Sequence, residues 1–257
     1  EIIDLQKQGI KEVTLLGQNV NSYVDLVNKA DFAKLLDEVA KAVPEMRIRY
    51  TTSHPYDMTD ELIEVMAAHK NICKYIHFPV QSRSERILKL MNRHYTPEYY
   101  LERIDKIRQY MPDISLSTDI ISGFPTETEE DHQQTLYLME KVRYDGAYMF
   151  NYSPREKTKA YKWTDDVSDD TKKRRLNDII DLQNKISKEN NQNEIGRIHE
   201  VLVEGASKKN KLQWQGRSDT NKVVIFDNSE LKFQAGSLVK CKIFDSTSAT
   251  LFGVAID

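Results

Sequence analysis

The chain has 257 residues, of which 39% are hydrophobic and 30% are charged, so it can bury a sizeable core and is not globally disordered. Its formal net charge of -3 gives no overall basic signal for nucleic acid, and any RNA site must therefore be a local patch. The two cysteines, Cys73 and Cys241, lie far apart, which excludes a disulfide framework and any cysteine-ligated cluster or zinc site made by this chain alone.

Helical and strand-like patterns alternate through most of the chain. A helix at the start ends at Gly9, and a short strand over 13–16 follows it. Further strands are predicted over 46–52, 75–78, 114–121 and 147–152. Between the strands lie helices whose first turns are marked by the capping residues Asp31, Thr59, Ser84 and Thr96. This alternation predicts an α/β fold in which a parallel sheet is covered by helices.

The stretch from Ile114 to Asp131, ISLSTDIISGFPTETEED, is the most informative part of the sequence. A buried parallel strand normally reads as a continuous apolar run, so Asp119 inside this one is costly unless it meets a partner. The tight turn Gly123-Phe124-Pro125 follows, and the pattern Thr126-x-x-Glu129 predicts a capping box at the start of a helix. Such a turn presents polar groups to a ligand in many α/β proteins, although an ordinary connection with a satisfied aspartate has the same pattern.

Most of the predicted strands end in polar residues. Because the carboxyl ends of parallel strands meet at one edge of a sheet, we expect these side chains to converge on a ligand. They are Gln18 and Asn19, Ser53 and His54, Gln81 and Ser82, Asp119, and Arg155.

The pattern changes near Asn193, after a long helix that is capped by Ser168 and runs to about Asn190. Five short stretches of alternating hydrophobicity follow, and they predict a small antiparallel β-barrel, an architecture that often binds oligonucleotides. Cations beside an aromatic ring suit RNA phosphates and base stacking, although a solvated loop beside a core tryptophan has the same composition. The candidate RNA-binding residues are Lys208, Lys209, Lys211, Trp214, Arg217 and Lys222.

Several longer segments resemble the radical SAM methylthiotransferase family, and most closely its branch that acts on isopentenyladenosine in tRNA. The matching segments are VTLLGQNVNSY, RYTTSHP, HFPVQS, LKLMNRHYT, TDIISGFPTETEED and FNYSPR, while GRSDTNKVVIF resembles the family's TRAM domain. The resemblance implies a partial radical SAM (β/α) barrel over 1–192 that lacks its first strand, followed by a TRAM RNA-binding domain over 193–257. We expect an exposed sheet edge where that strand belongs, and therefore a chain less stable than a complete one.

The resemblance also implies an activity. Members of this branch of the family use S-adenosylmethionine and two 4Fe-4S clusters to add a methylthio group to carbon 2 of the modified adenosine next to the anticodon. The C-x-x-x-C-x-x-C loop that ligates one cluster is absent, so we expect a fragment that begins after that loop and is inactive by itself. By position at the strand ends, Asp119 would accept from ribose hydroxyls and Arg155 would pair with a carboxylate. The other S-adenosylmethionine-binding candidates are Gln18, Asn19, Ser53, His54, Gln81 and Ser82.

The implied partners are S-adenosylmethionine and tRNA. No apolar run approaches the length of a membrane span and no signal-peptide pattern is present, so we expect a monomeric, cytoplasmic protein that does not bind a membrane. Two positions depart from the family pattern. Arg83 stands where glycine usually follows the HFPVQS segment, and the usual Arg-Pro-Gly-Thr appears as Arg155-Glu156-Lys157-Thr158.

Three alternatives remain open at the level of the sequence. The same chemistry acts in other branches on threonylcarbamoyl-adenosine in tRNA or on an aspartate of a ribosomal protein. A non-enzymatic RNA-binding fragment would use the β-barrel alone. An unrelated barrel hydrolase would use His54 and Asp119 as base and acid.

Overall fold

The structure is a computed structural model that describes residues 1–51, 53–207, 210 and 212–256. Its first part alternates strands and helices. They are α1 (Ile2–Lys7), β1 (Glu12–Leu16), β2 (Val24–Asp25), β3 (Ala30–Asp31), α2 (Phe32–Ala42), β4 (Arg47–Thr51), α3 (Asp60–Ala68), β5 (Tyr75–His77), α4 (Glu85–Leu90), α5 (Pro97–Tyr110), β6 (Ser115–Ser122), α6 (Glu129–Val142), β7 (Gly146–Asn151) and α7 (Asp169–Gln192). Within these described ranges, no helix is both long and apolar enough to cross a bilayer.

Five of these strands run parallel to one another in the order β1, β4, β5, β6 and β7. β1 and β4 form one parallel ladder, and β5, β6 and β7 form a second. A parallel bridge between Ile48 and Ile72 connects the two ladders. The predicted α/β fold with a parallel sheet is therefore confirmed. β2 and β3 form a separate antiparallel hairpin that the sequence did not lead us to expect.

The two faces of the sheet differ because side chains alternate along each strand. On β6, Leu116 and Ile120 are fully buried in the hydrophobic core that the helices cover. Ser117 and Asp119 alternate with them and therefore lie on the opposite face, which we call the inner face. The sheet thus separates an apolar, helix-covered side from a polar side.

The helices begin largely where the sequence predicted. The side chain of each predicted cap accepts a hydrogen bond from a backbone N–H of the first turn, which stabilises that end of the helix. These caps are Asp31, Thr59, Ser84, Thr96 and Ser168.

The capping box predicted from Thr126 and Glu129 is wrong by two residues. Thr128 caps α6 instead, since its Oγ1 accepts from Asp131 N at 3.3 Å while the Asp131 carboxylate accepts from Thr128 N at 2.8 Å. Thr126 belongs to the preceding turn and has a φ of 70°. Glu127 folds back in the same turn and accepts from Gly123 N at 2.7 Å. The connection after β6 is therefore longer than predicted.

A closed five-stranded barrel follows α7. Its strands are β8 (Ile198–Ala206), β9 (Gln213–Ser218), β10 (Val223–Asp227), β11 (Leu238–Ser246) and β12 (Leu251–Ile256), and they close in the order β10, β12, β11, β8, β9. The predicted barrel is confirmed, except that β10 and β12 pair in parallel and the other neighbours are antiparallel. A Cβ atom on Gly216 would lie 2.2 Å from Leu202 O, so the close approach of β8 and β9 requires glycine.

Arg49 of β4 joins the sheet to the barrel. Its Nη1 donates to Asp219 O at 2.9 Å and its Nη2 donates to Ser218 O at 2.5 Å. Its Nε donates to Glu12 Oε1 at 2.8 Å on the neighbouring strand. The guanidinium is buried, and these acceptors replace the water that it loses.

Two further buried cations strengthen the same junction. Arg47 donates to Arg217 O at 3.2 Å and to Glu200 O at 2.6 Å. Lys222 Nζ lies 2.6 Å from Asp145 Oδ1, next to the first residue of β7. The barrel is therefore attached to the amino-terminal ends of the parallel strands. We call Arg47 and Arg49 together the β4 arginine pair.

We expect Arg49→Met to lower the free energy of unfolding by about 3–5 kcal/mol, because it leaves buried acceptors without a donor. It should also expose the segment between α7 and β8 to proteases. Urea denaturation and limited proteolysis measure both effects.

Arg197→Met is the matched control, since Arg197 also joins the barrel to the sheet domain through Asp113 at 3.0 Å, but both side chains are exposed. It should change stability by less than about 1 kcal/mol. Equal, small effects of the two substitutions would contradict the role assigned to Arg49.

Candidate functional site

A hydrogen-bonded cluster occupies the inner face of the sheet. His77 Nδ1 lies 2.9 Å from Ser117 Oγ, which also contacts the Tyr75 hydroxyl at 2.7 Å. The other ring nitrogen of His77 lies 3.4 Å from Asp119 Oδ1. The ring of Tyr148 meets the ring of His77 edge-on at 5.6 Å. Asp119, the aspartate singled out by the sequence, thus has a partner and still faces the inner side, where about a quarter of it (27%) is exposed.

Four buried polar atoms near the carboxyl ends of the strands make no hydrogen bond within the described part of the chain. They are Ser53 Oγ after β4, Ser122 Oγ at the end of β6, Asn151 Oδ1 at the end of β7, and the Tyr152 hydroxyl. An unpaired buried polar atom costs free energy, and a bound polar ligand would supply the missing partners. Sequence reasoning named Ser53 and missed the other three, although SGFP and FNYSPR place them at strand ends.

Gln81 is held at the same edge by the backbone of β6. Its N–H donates to Asp119 O at 2.8 Å, and its carbonyl accepts from Ile121 N at 3.0 Å. It is buried and has a φ of 66°, a conformation that is rare outside glycine and that often marks functional sites. Ser82 is fully buried, and its Oγ accepts from Ser84 N at 3.2 Å at the start of α4.

The remaining candidates at strand ends are less enclosed. Gln18 and Asn19 are exposed in the loop after β1, and Arg155 is exposed after β7. His54 is half-buried, and burial lowers the pKa of its imidazole, which favours the neutral form at pH 7. Its Nδ1 accepts from Tyr56 N at 3.3 Å. In the described part of the chain no contact joins His54 to Asp119, so the acid–base pair of the hydrolase alternative is not formed.

The two departures from the family pattern are accommodated differently. Arg83 does not adopt a positive φ, so its backbone conformation does not require glycine. In the second loop, Thr158 N donates to Arg155 O at 3.3 Å, and Lys157 has a φ of 70°. A turn with this hydrogen bond and with a positive φ at its third residue favours Pro and Gly at its two central positions. The loop therefore forms a turn that Arg-Pro-Gly-Thr could also form, with a strained lysine in the glycine position.

Three of the six predicted RNA-binding residues belong to the described part of the chain. Lys208, Lys209 and Lys211 lie outside the described residues. Lys222 is mostly buried against Asp145 in the junction between sheet and barrel, which does not place it on a surface open to RNA.

The other two predicted RNA-binding residues also have partners within the barrel. Arg217 Nε pairs with Glu204 at 3.0 Å. Trp214 is partly buried and packs against the barrel core.

The cysteines of the chain do not fit an iron–sulfur cluster. Burial raises the pKa of the Cys73 thiol to about 12, and burial raises the pKa of the Cys241 thiol to about 12 as well. Cluster ligation needs thiolates, and these two thiols lie in the sheet domain and in the barrel. Across the described ranges no group of three or more His, Cys, Asp or Glu side chains is placed to hold a metal ion.

Comparisons with known proteins agree with this division into two parts. Residues 1–139 match the Radical SAM superfamily and residues 192–256 match the TRAM domain. A fold search finds coproporphyrinogen III oxidase of Escherichia coli, described as a radical SAM enzyme, with a TM-score of 0.56 and 12% identity, covering 100% of this chain and 63% of that one. At that identity the likeness concerns the fold alone.

Curated relatives are much more similar in sequence. A protein of Parabacteroides distasonis named tRNA-2-methylthio-N(6)-dimethylallyladenosine synthase is 53% identical over 261 residues, covering 100% of this chain and 56% of its own length. Proteins of the same name from Chloroherpeton thalassium and Prosthecochloris aestuarii are 52% and 54% identical, covering 100% and 98% of this chain and 56% and 57% of their own lengths. The chain thus spans little more than half of these relatives.

We expect Lys157→Gly to raise the free energy of unfolding by about 1 kcal/mol, because glycine adopts a positive φ without strain. Chemical denaturation measures the change. Lys159→Gly, two residues later at the start of a short 3-10 helix, is the control and should not stabilise the protein. A gain in stability from Lys159→Gly and none from Lys157→Gly would contradict the assigned turn.

Proposed function

This chain belongs to the radical SAM superfamily, and from that premise we propose that it forms the core of a tRNA methylthiotransferase acting on dimethylallyladenosine. One observation carries the proposal: relatives that are 52–53% identical to this chain over its entire length bear that activity in their names. The unpaired polar atoms at the carboxyl edge support it, because they suit a ligand rich in amino, hydroxyl and carboxylate groups.

We propose that this ligand is S-adenosylmethionine, which supplies an adenosyl radical and a methyl group in the family's chemistry. Ser53 would donate to it or accept from it after β4, and Ser122 and Asn151, which alternate with the inner-face residues of β6 and β7, would reach it over the strand ends. Gln81, beside them, would contribute a side chain from a backbone already fixed in position. The protein's part is then to orient the cofactor and to exclude water around it.

Asp119 would accept hydrogen bonds from the ribose hydroxyls of the cofactor. His77 fixes the carboxylate through its contact at 3.4 Å and is itself oriented by Ser117 at 2.9 Å. Two neighbouring aromatic side chains on β7, Tyr148 and Phe150, are 58% and 52% exposed. They alternate with residues packed on the core, so they lie on the inner face and suit stacking against the substrate base.

The other predicted cofactor contacts remain part of this proposal. Gln18, Asn19 and His54 would approach the ligand from the loops after β1 and β4. Arg155 is exposed and would pair with the carboxylate of the ligand. Ser82 would act indirectly, since its hydroxyl already caps the turn that leads into α4.

The cluster ligands must come from elsewhere, because the thiols of this chain do not fit a cluster. We propose that they belong to the part of the relatives' length that this chain does not span. The chain alone would then bind tRNA without turnover, which is the second candidate function. We further propose that the protein acts as a cytoplasmic monomer.

Asp119→Asn tests the cofactor site in the cluster-loaded protein at the relatives' full length. A ribose-binding role predicts affinity for S-adenosylmethionine weaker by about 1.5–3 kcal/mol, or roughly ten- to a hundredfold, with little change in melting temperature. Calorimetric titration and a thermal melt measure the two quantities.

Asp113→Asn is the matched control, since Asp113 is exposed near the opposite end of β6 and should affect neither quantity. Unchanged affinity of the Asp119 variant, with a clearly lower melting temperature, would assign Asp119 a structural role.

Substrate choice is tested separately with the same full-length protein. We expect methylthio transfer to tRNA that carries dimethylallyladenosine and none to tRNA that carries threonylcarbamoyl-adenosine or to a ribosomal protein. Mass spectrometry of the digested nucleosides and peptides detects each product. Transfer to either of the latter substrates in preference to the first would refute the proposed specificity.

A further inference from the structure

The outer face of β11 combines exposed cations with an exposed aromatic ring. Val239, Cys241 and Ile243 point into the barrel core and are buried. Lys240, Lys242 and Phe244 alternate with them and therefore point outward. Phe244 is 60% exposed and lies where the register between β11 and β12 shifts.

The neighbouring strands extend this face. Lys242 lies opposite Ile198 of β8 on one side and opposite Val254 of β12 on the other. Both of these apolar side chains are 56% exposed. We call the set Lys240, Lys242, Phe244, Ile198 and Val254 the β11 surface. This surface combines three exposed apolar side chains with two ammonium groups.

The ammonium groups of this patch form no ion pair within the described ranges of the chain, unlike those of other cations in the barrel. The carboxylate opposite Lys240 is that of Glu200, which Arg47 engages at 3.0 Å. The acidic neighbour in sequence, Asp245, accepts from Ser246 N at 2.8 Å. The positive charge of the two lysines is thus directed to solvent.

We propose that the β11 surface binds RNA, with Lys240 and Lys242 on backbone phosphates and Phe244 stacked on an unpaired base. This inference rests on the proposed function and assigns the tRNA contact to a particular face of the barrel. Lysines two residues apart on a strand lie about 7 Å from each other, which suits neighbouring phosphates of one strand. Aromatic side chains on barrel strands accept any base by stacking.

The test measures binding of the chain to a tRNA that contains the target adenosine, by fluorescence anisotropy over a range of salt concentrations. Substituting Lys240→Gln and Lys242→Gln together should reduce the slope of log affinity against log salt by about 1.4 to 1.8, because two counterion-releasing contacts are lost. Phe244→Leu should weaken binding about tenfold at fixed salt and leave the slope unchanged. Phe244→Tyr, which keeps the ring, should bind as wild type does.

Two comparisons make the result specific. Lys232→Gln removes a charge from the same barrel at a lysine paired with Glu230, and it should leave the slope unchanged. The pair Lys208→Gln and Lys209→Gln represents the site predicted from the sequence. A slope that falls with this pair and stays constant in the β11 variants would overturn the inference while leaving tRNA binding intact.

The same experiment distinguishes failure of the proposed function from failure of the assigned RNA-binding face. If the wild-type chain does not bind tRNA at low salt, both the function and the assigned face are refuted. If wild type and the β11 variants bind equally well with equal slopes, the assigned face alone is refuted. The side chains substituted on β11 and at Lys232 are exposed, so circular dichroism of these variants should show unchanged folding.

Discussion

Burying the β4 arginine pair is the constraint on which the arrangement of the two domains depends. A buried guanidinium must satisfy several donors at once, and Arg49 does so with two barrel carbonyls and the Glu12 carboxylate. Burial opposes the charged form, yet the hydrogen bond that Arg49 donates to Glu12 raises the pKa of the guanidinium. Since the acceptors come from β1, from the last residue of β9 and from the turn after it, neither domain can move without uncovering a charge. The carboxyl edge of the sheet and the barrel are therefore held in one fixed relation.

Local patterns in the sequence predicted the elements well. Alternation gave each strand of the sheet and of the barrel, and capping residues gave most helix starts. The exception is instructive: both Thr126-x-x-Glu129 and Thr128-x-x-Asp131 fit the capping pattern, and the chain uses the second. The glycine turn and the fold-back of Glu127 decide between them, and neither is visible in a four-residue motif.

The site could be predicted only as far as it depends on strand ends. Position along the chain suggested Ser53, Gln81 and Asp119, but not the partner that His77 provides on the inner face. For the RNA-binding candidates, the sequence did not show which lysines have an acidic partner. Lys222 looked available to RNA because its partner, Asp145, is distant in sequence, whereas the lysines of β11 looked like ordinary strand residues. Whether a cation is paired is a property of tertiary structure.

Because the barrel is attached at the amino-terminal ends of the strands, a fixed distance separates the attachment from the carboxyl ends of the strands. Arg47 is the first residue of β4, while the unpaired polar atoms lie at the other ends of the strands. A strand of eight residues such as β6 spans about 26 Å. An RNA bound at the barrel as proposed would have to span that distance before a base reached the carboxyl edge of the sheet. The spacing along the RNA, as well as the chemistry of the base, would then determine which nucleotide reaches that edge.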